Sequence, residues 1–173
     1  MSEASRMKLI RFLGYAIEIL AIFVIQETPG LLPELFGARP VLLIPTALSI
    51  AMFEGENASM AFGLAAGLLM DFGYGSVLGF HAVMFAVACY LISRITANLF
   101  QTNFVTAILI AAVTTALAVL LQWTCFFVLS GYAHPFYALV NHYLPIFGYS
   151  VIVMPIAYYF NRALALQIRS KEE

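Results

Sequence analysis

Glu18 stands between Ile17 and Ile19 in the middle of a long apolar run. A charge at that depth in lipid costs about 2.5–3.5 kcal/mol on insertion scales, so such a carboxyl is a functional site by default. The alternative is a carboxyl that carries a proton and hydrogen-bonds a Tyr or Thr, tying helices together. A proton relay would need further acids or bases at the same depth. Glu54 and Glu56 fall at a turn on one side and Glu27 at the opposite edge, so no relay is expected.

A second set of residues carries a spacing rather than a reactive group. Gly55, Ser59, Gly63, Gly67 and Asp71 recur at every fourth position. Four helical residues turn about 400°, so such a stripe drifts about 40° per step and Ser59, Gly63 and Gly67 share one face. Lipid offers no hydrophobic drive between helices, so a small face marks close backbone approach. That face either packs inside the bundle or receives a helix from a partner protein. Asp71 closes the stripe and is followed by Gly73, Gly75 and Gly79. Glycines admit unusual backbone angles and close approach, so Asp71 is placed to accept their amide hydrogens in a structural turn or to contact a partner.

Other chemistry is poorly supported. Phe72-Gly73-Tyr74-Gly75 is reminiscent of a potassium filter, but it lacks the preceding Thr-Val and has no pore helix before it. His134 and His142 are eight apart without a third ligand nearby, so no metal is expected. His81 reads as an interfacial polar tip at the start of a helix. No nucleophile elbow, zinc-protease, P-loop or dinucleotide signature is present, so neither catalysis nor a cofactor is expected.

The elements that must position these residues follow from composition. Hydrophobic types make up 63% of the 173 residues and charged types only 10%. A soluble domain carries about 25% charged residues, so too few polar side chains remain to cover a water-facing surface. The chain reads as a single integral membrane domain, residues 1–173, of all-α class. A net charge of −1 offers no basic field for nucleic acid. Cys89 and Cys125 lie in apolar runs and read as small fillers. The first apolar run follows Arg6, Lys8 and Arg11 but has no cleavage site, so it reads as a retained helix.

Spans are predicted at about 9–26, 40–53, 58–71, 78–98, 104–129 and 145–163. The second and third are short for a hydrocarbon core of about 30 Å, so they either cross or form a dipping hairpin. Placing the N-terminus inside leaves Arg6, Lys8, Arg11, Arg94, Arg162, Arg169 and Lys171 on the cytoplasmic side and only Arg39 outside. That asymmetry puts both termini in the cytoplasm with an even number of spans. Pro135 and the following Tyr, Asn and His residues suggest a short helix at the membrane surface. Pro45, Pro145 and Pro155 predict bends.

One stretch of the chain is similar to a known family. Arg39-Pro40-Val41-Leu42-Leu43-Ile44, Glu54-Gly55-Glu56, the run Ala61-Phe62-Gly63-Leu64-Ala65-Ala66-Gly67-Leu68-Leu69-Met70-Asp71 and then Gly75-Ser76-Val77-Leu78-Gly79-Phe80-His81-Ala82 resemble the rod shape-determining MreD family. Leu144-Pro145, Met154-Pro155 and Asn161-Arg162 fit its last span. The resemblance implies a non-catalytic scaffold of about six helices in the inner membrane, within the bacterial cell-elongation machinery. It implies binding to a single-span MreC-like protein and links to MreB, RodA and a transpeptidase. It also implies a fold similar to the substrate-binding subunits of energy-coupling-factor vitamin transporters. Such a subunit is the alternative function, but its Ala-xxx-Ala ladder is absent from the first helix, where Ala16 and Ala21 are five apart. On the scaffold reading, Ser59, Gly63, Gly67 and the glycine-rich turn at 73–79 would line a groove for the partner's helix.

Overall fold

The computed structural model describes residues 3–33, 41–74, 78–98, 104–129, 131 and 135–169. Helices α1 (Glu3–Glu27), α2 (Leu43–Phe53), α3 (Glu56–Tyr74), α4 (Phe80–Asn98), α5 (Phe104–Trp123), α6 (Pro135–Ala138) and α7 (Leu144–Arg169) follow one another, and no strand occurs among the described residues. α5 runs on into a π-helical turn at Thr124–Val128, and a second π-helical turn, Leu139–Tyr143, joins α6 to α7.

Side-chain contacts set the direction of each helix. The N-terminus of α2 meets the end of α1, where Gln26 Oε1 accepts the Leu43 amide at 3.2 Å. The other end of α2 meets Arg11 through Glu54. α3 returns alongside α1, from Phe62 against Phe12 and Tyr15 to Gly73 against Glu27. α4 runs back down α3, and α7 runs antiparallel to α1, with Leu164 against Gly14. Helices α1 to α5 and α7 therefore traverse the bundle alternately, and the segments leading to both termini sit at the same end.

Among the described residues, four stretches are long and apolar enough to cross a bilayer by themselves: Ser5–Glu27, Phe80–Ala97, Phe104–Val128 and Phe136–Leu166. Their outward faces are aliphatic. On α5, Val105, Leu109, Val113 and Leu117 are exposed, while Ala107, Ala111, Thr115 and Val119 turn inward. Exposed branched chains at i, i+4 spacing with small residues inside are what lipid as solvent selects.

α2 obeys a different rule. Its 11 residues rise only about 16 Å, and Leu43 through Met52 are all buried. A helix that is apolar on every side belongs in a core. Here α1, α3, α4, α5 and α7 surround it. Protein rather than lipid satisfies its surroundings, which permits a helix shorter than the hydrocarbon thickness.

Two expectations, about the segment from Pro135 and about Pro45, are corrected. Residues from Pro135 do not form a separate surface helix; α6 is the first turn of the last span. Pro45 does not bend α2, because it lies in the first turn, where a missing N–H breaks no bond. The irregularity near Pro145 is the π-helical turn before it, where the proline ring excludes the Asn141 carbonyl from an ordinary bond.

Candidate functional site

The small-residue stripe of α3 faces α4. A Cβ on Gly67 would lie 2.4 Å from the His81 carbonyl oxygen and 2.5 Å from Ala82 Cα. A Cβ on Gly63 would lie 2.6 Å from the Phe85 carbonyl and 2.8 Å from Cys89 Sγ. Both glycines are thus needed for the two backbones to touch. Ser59, on the same face, donates its hydroxyl to the Glu54 carbonyl at 3.1 Å. Gly55 begins the spacing, but a Cβ there would meet nothing within 4 Å.

Asp71 uses this close approach. It is 1% exposed and caps the start of α4 from the neighbouring helix. Its Oδ2 accepts the amides of Gly79 at 2.8 Å and Ala82 at 3.3 Å. Its Oδ1 accepts the His81 amide at 3.1 Å and pairs with His81 Nδ1 at 2.7 Å. First-turn N–H groups have no partner within their own helix, and an anion at that end also meets the helix dipole. Gly79 holds φ at +97°, a region closed to most side chains, which turns its amide toward Asp71. Gly73 packs instead on the Glu27 carboxylate. Gly75 lies outside the described residues, as do Arg39, His134 and Lys171. His81 is corrected from an interfacial tip to a buried side chain, 1% exposed, held by Asp71.

A second polar cluster closes the end of the bundle that carries the termini. Arg11 Nε lies 2.7 Å from Glu54 Oε1, and its Nη2 donates to Oε2 at 3.3 Å. The Tyr15 hydroxyl donates to the same carboxylate at 3.1 Å, and the Ser93 hydroxyl donates to the Glu54 carbonyl at 2.6 Å. Both ions are buried. The Nη2 bond and the close Nε contact set the two charges together, and the added hydroxyl offsets part of the desolvation cost. Arg11 is therefore not the free loop charge that the sequence suggests.

Glu18 lies a turn further along α1, toward the opposite end. Its Oε1 accepts the Asn161 side-chain amide of α7 at 2.9 Å, and that amide also reaches Ser49 Oγ of α2 at 2.7 Å. The partner is thus an amide rather than a Tyr or Thr hydroxyl.

Two concave surfaces among the described residues adjoin the α4 helix. A groove of about 900 Å³ separates α4 from α5, extending from Gly79 to Ile95 on one wall and from Leu109 to Leu121 on the other. Its rims are the exposed stripes Val83, Val87, Leu91 and Leu109, Val113, Leu117; Ala88, Thr114 and Ala118 also line it. A pocket of about 310 Å³ lies at the end opposite the termini, lined by His81, Gln122, Phe126, Phe127, His142, Tyr143 and aliphatic neighbours. Both π-helical turns contribute to it, and Phe127 meets Tyr143 edge-on at 5.7 Å. The groove and the pocket meet where Phe80 packs on Phe126.

The family model described as rod shape-determining protein MreD matches residues 6–164. The chain belongs to the MreD family. Neither the curated proteins nor the solved structures gave a match. Membership of the MreD family makes this a membrane protein of the rod-shape-determining class, associated with shape-determining machinery. The match spans both polar clusters, the α3–α4 seam, the groove and the pocket. Within this MreD-family bundle the sequence reading located Glu18, Ser59, Gly63, Gly67, Asp71 and Gly79, and paired Asp71 with the Gly79 amide, but did not find the other partners. It overlooked Arg11, Tyr15, Glu54 and Asn161. The available signal was a pair of opposite charges, Arg11 and Glu54, each beside an apolar run.

Proposed function

We propose that this protein is a non-catalytic scaffold of the cell-elongation machinery, and that an MreC-like single-span protein lays its transmembrane helix in the groove between α4 and α5. Through that partner it would support peptidoglycan synthesis and rod shape, together with MreB, RodA and a transpeptidase, with both termini cytoplasmic. The observation that carries the reading is the groove itself. From Gly79 to Ile95 its α4 wall rises about 24 Å, close to the length of a membrane-spanning helix. It opens sideways into lipid and is lined mostly by aliphatic chains, with Thr114 the one hydroxyl among its described lining residues. Small residues along its lining let a helix approach closely, which is how helices associate without a hydrophobic drive.

The groove is favoured over the α3 stripe because α4 already covers Gly63 and Gly67. The pocket beyond Phe80 and Phe126 would receive the stretch of partner that leaves the membrane, with His81, Gln122, His142 and Tyr143 as hydrogen-bonding tips.

The test fills the groove from its exposed rims. Val87→Trp and Val113→Trp, co-expressed with a tagged MreC-like protein, should remove the partner from the purified complex while leaving membrane level and melting temperature unchanged. Full co-purification at normal level would refute docking at this site. A small molecule retained through purification would favour the vitamin-capture alternative instead.

A further inference from the structure

We propose that Glu18 and Asn161 form a proton-binding pair that locks α1 to α7 at mid-depth, independently of any partner. The Asn161 side chain is fully buried, and three oxygens surround its Nδ2: Glu18 Oε1 at 2.9 Å, Ser49 Oγ at 2.7 Å and the Ala157 carbonyl at 3.1 Å. That surrounding fixes which end of the amide carries nitrogen. Two acceptors are then left over, one on each group. Among the described residues neither Glu18 Oε2 nor Asn161 Oδ1 has a hydrogen-bond partner, and both atoms are buried. Buried acceptors without donors are costly, and both orphans belong to a single contacting pair.

A carboxylic acid and a primary amide pair through two parallel hydrogen bonds. The amide N–H donates to the acid carbonyl oxygen, and the acid O–H donates to the amide oxygen. The first of these bonds is present at 2.9 Å. A proton taken from water onto Glu18 Oε2 supplies the second, satisfies both orphan atoms and leaves the pair neutral. An ionised Glu18 would instead leave both buried oxygens without a donor in a medium that cannot screen them.

Neighbouring ionisable groups do not compete for this role. Of the elements packed against α1, α2 offers Glu54, which with Tyr15 and Arg11 forms the other cluster. α3 offers Glu56 and Asp71, at opposite ends of that helix. α7 offers Tyr158, packed on Phe53 and Phe104, and Arg162, which is exposed.

The test is the infrared difference spectrum of the full chain in detergent at neutral pH, wild type against E18Q. The expected result is loss of one protonated, hydrogen-bonded carboxyl stretch. Loss of carboxylate bands instead would overturn the proposal, including the case of an ionised Glu18 bridged by water. Thermal melting gives an independent reading. Gln presents an N–H where the acid presents its O–H, so E18Q should melt with wild type, while E18A and N161L should fall by at least about 4 °C. E18Q melting as low as E18A would overturn the pairing. Should E18A fail to accumulate, E18Q against wild type still decides.

Discussion

Gly67→Ala is the sharpest perturbation of this bundle, because one methyl group must enter a space already filled by backbone. The new Cβ would stand 2.4 Å from the His81 oxygen, 2.5 Å from Ala82 Cα and 2.6 Å from Ala82 N, where ordinary contacts begin near 3.4 Å. No rotamer relieves this, so α4 must withdraw by about 1 Å. Overpacking of that size costs about 1–3 kcal/mol. The same shift draws the Gly79 amide away from Asp71, from 2.8 Å to as much as about 3.8 Å, past hydrogen-bond range, and a bond to a charged group is worth about 1.5–3 kcal/mol. Together the loss is about 3–5 kcal/mol, or at least about 6 °C in melting temperature for a chain of this length. The assay is thermal unfolding of the purified protein in detergent, followed by helical circular dichroism. Gly148→Ala is the matched control, since nothing lies within 4 Å of its Cβ position. Equal melting of Gly67→Ala and wild type would refute the α3–α4 seam. Enlarging Gly63 or Gly67 to Leu consequently tests the seam rather than partner docking.

Asp71→Asn should lower stability by about 2–3 kcal/mol, because an amide nitrogen would face N–H groups that now meet only oxygen; the same melting assay checks it, with Asp71→Ala falling further. Arg11→Leu strands the Glu54 carboxylate and should cost about 3–5 kcal/mol, whereas the Arg11→Leu, Glu54→Leu double variant should recover much of that loss, so additive losses in a double-mutant cycle would contradict the buried pair.

How far the sequence could carry this reading depended on separation along the chain. Apolar runs with loop charges located the helices, because lipid imposes a length and a composition on each span independently of the others. The Asp71 cap joins residues 8 to 11 apart and was within reach of local reasoning. Arg11 with Glu54, 43 apart, and Glu18 with Asn161, 143 apart, were not. Counting charges by loop treats Arg11 as a topological signal, and nothing local reveals that it turns inward. The glycine spacing announced a close approach without naming the neighbour, since four-residue periodicity fixes a face of one helix only. His81 was misread for a similar reason: a lone histidine after a glycine turn looks the same whether it meets headgroups or a buried carboxylate.

The central position of α2 bears on how the chain is made. Eleven residues sheathed on every side by other helices cannot rest stably in lipid before those neighbours arrive. α7, made after the other five long helices, is one of them, with Ser150 reaching the Val41 carbonyl and Asn161 reaching Ser49. Biogenesis must therefore hold the early hairpin in a provisional setting until α7 has been inserted. A chain cut before α7 would keep its first helix in the membrane yet present an unsheltered segment to quality-control proteases.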